Sequence, residues 1–184
     1  MKNKILIIST IFLFIGCAIP SKNIVSSISN PTKDGMIVGT ISLEDRKSTA
    51  SGHYFFFGND SIKKKIALKE YDAPLTYNST KWKYGLIIRN SKGNFKEGKK
   101  DVYLFNIVKP AGKYSFYELE IFLNSGYMQS TLKMPIDLPF EIEAGKTKYI
   151  GEINLKVKKG QIQIIDNITR DRIKFKEKFP NIVF

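Results

Sequence analysis

The sequence predicts a mainly β fold: an antiparallel β-sandwich with one short C-terminal helix. Three observations carry that expectation. Beyond Asp34 the apolar residues recur with a period of two, as in half-buried strands. The runs are short and broken by Gly, Pro and Asn turns, with no long helical stretch between them. Only about 168–179 does the period become helical, with Ile168, Phe175 and Phe179 on one stripe.

The chain opens with Lys2 and Lys4, an almost unbroken apolar run from Ile5 to Ile15, then Gly16 and Cys17. That order is a charged segment, an apolar core of secretory length and a small residue at the cut. The run is shorter than the roughly 20 apolar residues a spanning helix needs. Phe14-Ile15-Gly16-Cys17 resembles the lipobox of bacterial lipoproteins. The resemblance implies that residues 1–16 are removed and that Cys17 takes a diacylglyceryl thioether, so the membrane is a partner through that lipid. It also implies a cell-envelope location. In enterobacterial lipoproteins an Asp after the lipidated cysteine retains the protein in the inner membrane. Ala18 stands there, so outer-membrane delivery is expected in a diderm host. An ordinary signal peptide with an incidental cysteine and an uncleaved anchor remain as alternatives.

Cys17 is the only cysteine. Once lipidated it leaves no thiol for a disulfide, a metal site or a nucleophile, so stability must come from an ordinary core. The remaining length suits one domain that buries roughly two-thirds of its unfolded surface. Removing the leader takes Lys2 and Lys4 but no acid, and the net charge of +13 falls to +11.

From Ala18 to Asp34 the chain is rich in Ser, Asn and Pro without sustained periodicity. Residues 17–34 are therefore expected to form a flexible tether with a reach of about 20–25 Å. An edge strand at Asn23–Ile28 is the alternative. Residues 35–184 form the domain.

Met36–Leu43 reads as the first strand and His53–Phe57 as the second. Lys64–Lys69 and Trp82–Arg89 follow, then Val102–Val108. After a turn at Pro110-Ala111-Gly112 comes Lys113–Leu123. Phe140–Glu143 and Tyr149–Val157 flank a turn at Ala144-Gly145-Lys146. In the latter strand Tyr149, Gly151, Ile153, Leu155 and Val157 share one face. Glu152, Asn154, Lys156 and Lys158 share the other, which is expected to be wet. Lys159-Gly160 turns the chain into Gln161–Ile165, with glycine placed for positive φ. The final helix starts with Asn167 or Thr169 as cap and stops at Pro180. It is expected to plug an open end of the sandwich or cover a sheet face, with Lys174, Lys176 and Lys178 solvated.

Pro110-Ala111-Gly112-Lys113-Tyr114 and the segment from Phe140 to Tyr149 each pair a turn glycine with a following inward aromatic. They resemble the turn-and-tyrosine hairpins of transthyretin-like, carboxypeptidase-regulatory-type modules, a variety of Ig-like sandwich that recurs in bacterial lipoproteins. Those modules are structural or binding domains. The resemblance thus implies a non-enzymatic binding or scaffold module without cofactor.

Catalytic motifs fail on their own chemistry. Gly145-Lys146-Thr147 imitates the end of a phosphate-binding loop, but Phe140 stands where that motif needs glycine, and a strand follows instead of a helix. Ser-x-x-Lys occurs at Ser61/Lys64 and Ser130/Lys133, yet the companion Lys-Thr-Gly is missing because Lys148 follows Thr147. His53 is the sole histidine, so a histidine-rich metal site has no support. A Ser-His-Asp hydrolase would need only His53, but no Gly-x-Ser-x-Gly elbow is present; an envelope hydrolase using His53 is the rival reading.

Lys63–Lys65, Lys96/Lys99/Lys100, Lys146/Lys148 and Lys156/Lys158/Lys159 suggest a basic surface. The excess is nearly all Lys, with few Arg for bidentate phosphate contacts, which argues against nucleic acid. Solvated faces and protected sheet edges are the plain reading. Anionic lipid or lipopolysaccharide head groups are the partner such a field would suit, and an envelope protein is the other. Tyr54-Phe55-Phe56-Phe57 is the second candidate site. Successive side chains alternate faces, so either both faces of that strand are covered, or one pair lies in a partner-binding apolar patch.

Overall fold

The computed structural model describes residues 24–45, 50–59, 85–89 and 92–184. The leader with Cys17, the strand expected at Lys64–Lys69, and Trp82 and Tyr84 lie outside the described residues. Nine strands and one helix are described: β1 (Asp34–Glu44), β2 (Ala50–Gly58), β3 (Gly85–Arg89), β4 (Phe95–Glu97), β5 (Lys100–Pro110), β6 (Gly112–Asn124), β7 (Gln129–Ile142), β8 (Thr147–Lys156), β9 (Gln161–Ile165) and α1 (Ile168–Lys178). The fold is mainly β, with one short helix among the described residues.

The strands form two sheets, one in the order β4-β5-β1-β8-β9 and the other β3-β2-β6-β7. All pairings are antiparallel except β1 with β8, which is parallel. This corrects the wholly antiparallel expectation. A period of two shows which face a residue occupies but not which strand lies alongside, or in which direction.

Ile37, Ile41 and Leu43 of β1, Phe105 of β5 and Ile153 and Leu155 of β8 face Phe55, Phe57, Phe116 and Phe140 of the second sheet in one buried cluster. Phe116 meets Phe105 edge-on at 6.3 Å and Phe57 at 5.6 Å, tying the two sheets together through aromatic contacts. Tyr114 stacks on Phe140 and donates to the Pro110 carbonyl at 2.9 Å, so the Pro110–Gly112 turn is fixed by the aromatic after it.

The outer face of the first sheet is covered too. Met36, Val38 and Leu104 pack with Phe175 and Ile182, and Ile24, Ile28, Phe179 and Phe184 close around them. Because β1 is the middle strand and is roofed on both sides, residues 35–43 are all buried. The helix covers a sheet face, one of the two expected placements. Lys176 and Lys178 stay exposed, while Lys174 is half-buried and bonds Glu177.

The N-terminal segment corrects the tether expectation. From Ile24 onward it is part of the globule. The Val25 amide donates to Asn106 Oδ1 at 3.1 Å, and Asn106 Nδ2 donates to the Val25 carbonyl at 2.6 Å. No strand forms there; residues 24–33 are irregular and are fastened by this one side chain, by Ile24 and Ile28, and by Ala111 N–H to the Lys33 carbonyl.

A third correction concerns β8. The register against β1 shifts between Val38 and Thr40, where Gly151 has φ +101°. The extra residue sends Tyr149 to the helix side, while Ile153 and Leu155 keep the inner face. Only glycine fits: a Cβ on Gly151 would come within 2.6 Å of Ile164 Cγ2, and one on Gly39 opposite would meet the Gly151 carbonyl at 2.7 Å. Gly160, at φ +60°, turns β8 into β9 as expected.

Candidate functional site

Thr40 and Ser42 of β1 and Glu152 and Asn154 of β8 put a polar strip on the outer face of the first sheet. All four are fully buried, so the face expected to be wet is sealed at Glu152 and Asn154, while Lys156 is half-buried and Lys158 exposed. The seal is α1, whose inner stripe carries a carboxylate, Asp171, ahead of Phe175. Arg170 and Asn167 reach into the same seam.

The two buried carboxylates share one guanidinium. Arg170 Nη2 donates to Glu152 Oε2 at 2.7 Å and to Asp171 Oδ1 at 2.6 Å, with Nε also on Asp171 Oδ1 at 2.8 Å. Asn167 Nδ2 donates to Glu152 Oε2 at 2.6 Å. The Ser42 hydroxyl donates to Glu152 Oε1, and Lys100 Nζ stands 3.7 Å from that oxygen. Asp171 Oδ2 accepts from Thr40 at 2.8 Å and from Tyr149 at 2.7 Å. Both carboxylates are thus surrounded by donors, as buried charges must be. Arg170 reaches Glu97 through Nη1 at 2.7 Å and lies over the Phe95 ring, which fastens β4 to the same seam.

The electrostatics follow from these contacts. Burial alone would raise the Glu152 carboxyl, but Ser42, Arg170 and Asn167 outweigh it and hold it below its ordinary value. Burial would likewise lower Arg170, but Asp171 and Glu152 raise it instead. Tyr149 is pushed well above its ordinary value, first by burial and then by its bond to the Asp171 carboxylate. Each group is held in the protonation state its neighbours need. The contacts run from Asn167, Arg170 and Asp171 of the helix segment to Thr40, Tyr149 and Glu152 of the sheet, so the seam clamps α1 to the sheet.

The seam also explains the helix start. Asn167 holds the cap position, but its amide is committed to Glu152; Asp166 Oδ1 accepts the Ile168 amide at 3.0 Å instead. Neither Asn167 nor Thr169 is the capping side chain.

Cys17 lies outside the described residues. Phe55, Phe56 and Phe57 are all buried and Tyr54 is half-buried. Phe55 and Phe57 face the intersheet core, and Phe56 is enclosed on the opposite parity. These three phenylalanines are therefore interior residues, not an exposed patch for a partner. His53 is fully buried on β2 beside Ile88 and Ile121, and is not at a strand edge. Ser130 and Lys133 lie on β7 with opposite parity, and Lys133 pairs with Glu120 at 3.3 Å. Gly145-Lys146-Thr147 leads into β8, and Lys146 and Lys148 both pair with Glu143. Two shallow recesses lie at the start of α1, lined by residues such as Ile164, Asp166, Ile168, Thr169 and Ile173; neither includes His53. Among the described residues no group of His, Cys, Asp and Glu could hold a metal ion, and no helix is long and apolar enough to cross a membrane.

No protein-family model matches the chain, and no curated protein matches it. Among solved structures, a leucine-rich repeat protein from Bacteroides thetaiotaomicron VPI-5482 is similar at 14% identity and a TM-score of 0.37. The likeness covers 68% of this chain but only 14% of that one.

Proposed function

We propose that the protein is a lipid-anchored cell-envelope lipoprotein whose domain, a transthyretin-like sandwich, is a non-enzymatic binding or scaffold module. Its lipid is on Cys17, and in a diderm host it resides in the outer membrane. The observation that carries the reading is the fastening of Val25 by Asn106. It leaves six residues between Cys17 and Ile24, a span of at most about 25 Å when fully extended. A lipid there holds the domain against the bilayer with its helix-covered face on the tethered side. The Tyr114–Pro110 bond supports the sandwich assignment, since it ties a turn to its following aromatic as that resemblance implies.

The non-enzymatic part rests on burial. Ser42, Glu152, Asp171 and His53 are all closed to solvent, and the first three are committed to one another's network.

Substituting Cys17→Ser tests the anchor. The wild-type protein is expected in the membrane fraction, with outer-membrane markers on a sucrose gradient, and the variant in the soluble fraction. A variant that stays wholly with membranes would mean that the apolar run does the anchoring. Sedimentation of the wild type with inner-membrane markers would overturn the location.

A further inference from the structure

Exposed sheet edges invite association, and proteins blunt them with charge, proline or brevity. Three of the four edges described here follow that rule or are very short. β4 has three residues and carries Lys96 and Glu97. β7 carries Pro135, Pro139 and Lys133. β3 has five residues and ends on Arg89. The fourth, β9, is Gln-Ile-Gln-Ile-Ile from Gln161 to Ile165, with neither charge nor proline in a chain of net charge +13. No strand among the described residues pairs with its outer side.

We infer that β9 is a self-association edge, on which the β9 of a second copy of this chain adds antiparallel to join two five-stranded sheets into one. The sequence is matched to itself in that register. Centred on Gln163, a two-fold pairing sets Ile162 of each copy opposite Ile164 of the other, and Gln163 opposite its own counterpart. Ile162 and Ile164 lie opposite Leu155 and Ile153 of β8, so their cross-strand pairs continue the apolar row of that face. Ile164 is 45% exposed in the single copy, and the pairing covers it.

The charges at the two ends of β9 are complementary. Lys158 and Lys159 precede the strand and Asp166 follows it. Antiparallel pairing sets Asp166 of each copy opposite Gly160 of the other, one residue from Lys159. A parallel pairing would place lysines on lysines. The pairing is isologous: one surface serves both copies and the assembly closes at two.

The contact is tested on the full chain in its own membranes by oxidative cross-linking. Directly opposed residues in an antiparallel pair have Cα atoms about 4.5–5.5 Å apart, within disulfide range. Gln163→Cys is therefore expected to give a disulfide dimer on non-reducing gels. Gln161→Cys, on the same exposed edge, would stand about 13 Å from its own counterpart and is expected to remain monomeric. The wild-type chain is the control for Cys17: a dimer there would count against lipidation and not against this contact. Failure of Gln163→Cys to cross-link, or equal cross-linking by Gln161→Cys, overturns the inference. Independently, sedimentation velocity of the detergent-solubilised wild type is expected to show a dimer, and Ile164→Lys a monomer with an unchanged circular dichroism spectrum. A monomeric wild type, or a folded Ile164→Lys that stays dimeric, overturns it as well.

Discussion

Arg170 and Glu152 meet at 2.7 Å between helix α1 and strand β8, with Asp171 on the other side of the same guanidinium. One guanidinium thus serves two carboxylates that are both fully buried, with Lys100 Nζ 3.7 Å from Glu152 as a second cation. Removing Arg170 would leave Glu152 to Lys100 alone and take the guanidinium from buried Asp171, a cost of about 3–5 kcal/mol for a broken buried pair. Arg170→Ala is expected to lower the free energy of unfolding by that amount in urea titrations. Arg170→Lys should recover little of it. A lysine cannot present the planar fork that reaches Glu152, Asp171 and Glu97 together. A near-normal midpoint for either variant would show that the seam contributes little to stability.

The same contacts set an acid dependence. Glu152 is held below its ordinary value of 4.5 in the folded protein, so its contribution is complete above about pH 4.5. It is lost as pH falls through the depressed folded value, because the unfolded chain binds the proton first. Glu152→Gln removes this contribution. The gap in melting temperature between wild type and Glu152→Gln is therefore expected to be widest near neutrality and to narrow below pH 4.5. A gap that widens in acid would reverse the assigned sign.

The core of the fold was legible and the seam was not, for a physical reason. Period two places Ile37, Phe55, Phe105 and Ile153 on one side of their strands, and those residues form the intersheet core. The same period places Glu152 and Asn154 on the other side but is silent on what covers that side. Polar residues on an alternate face read as wet, yet α1 seals them. The signal that could have exposed the seam was Asp171, a carboxylate on the apolar stripe of Ile168, Phe175 and Phe179. Strand β7 shows in the sequence only at its end, Phe140–Glu143, since Pro135 and Pro139 interrupt the strand pattern before it. Proline is tolerated there because β7 is an edge strand. β4, with three residues, is too short to show a period.

The aromatic run supplies the next test. Phe55, Phe56 and Phe57 are at most 4% exposed, while Tyr54 is half-buried. Each Phe→Ala change removes a large enclosed side chain at a typical cost of about 3–5 kcal/mol. All three variants are expected to melt many degrees lower, and Tyr54→Ala by less. The informative comparison is Phe56→Ala beside Phe57→Ala, since the two occupy opposite faces. A mild Phe56→Ala would mean that its face of β2 is more open in solution.

Gly151 is the point on which the seam turns. At φ +101°, with Ile164 Cγ2 2.6 Å from where a Cβ would sit, alanine meets both backbone strain and a clash. Strain of this kind costs of order 1–3 kcal/mol. Gly151→Ala is expected to destabilise by at least that much and to disturb Tyr149, which the bulge delivers to Asp171. Tyrosinate absorbance in an alkaline titration reports on it. In the wild type, Tyr149 should ionise later than a tyrosine of ordinary value. In Gly151→Ala that late component should move toward the ordinary tyrosine range. An unchanged titration would mean that Tyr149 reaches Asp171 without the bulge.

Asn106 decides where the domain begins. Its side chain takes both backbone groups of Val25, so Asn106→Ala leaves an amide and a carbonyl without their partners and Ile24 and Ile28 held by packing alone. Loss of two hydrogen bonds, each with a net value of about 1 kcal/mol, is small against the whole domain but large for a segment with no strand pairing. The expected result is local: trypsin cleavage after Lys33 becomes faster in Asn106→Ala, while the global melting temperature falls only slightly. Equal cleavage rates in the two proteins would show that the segment opens independently of Asn106. The distance between lipid and globule would then be set by a tether running to Asp34 and not by six residues.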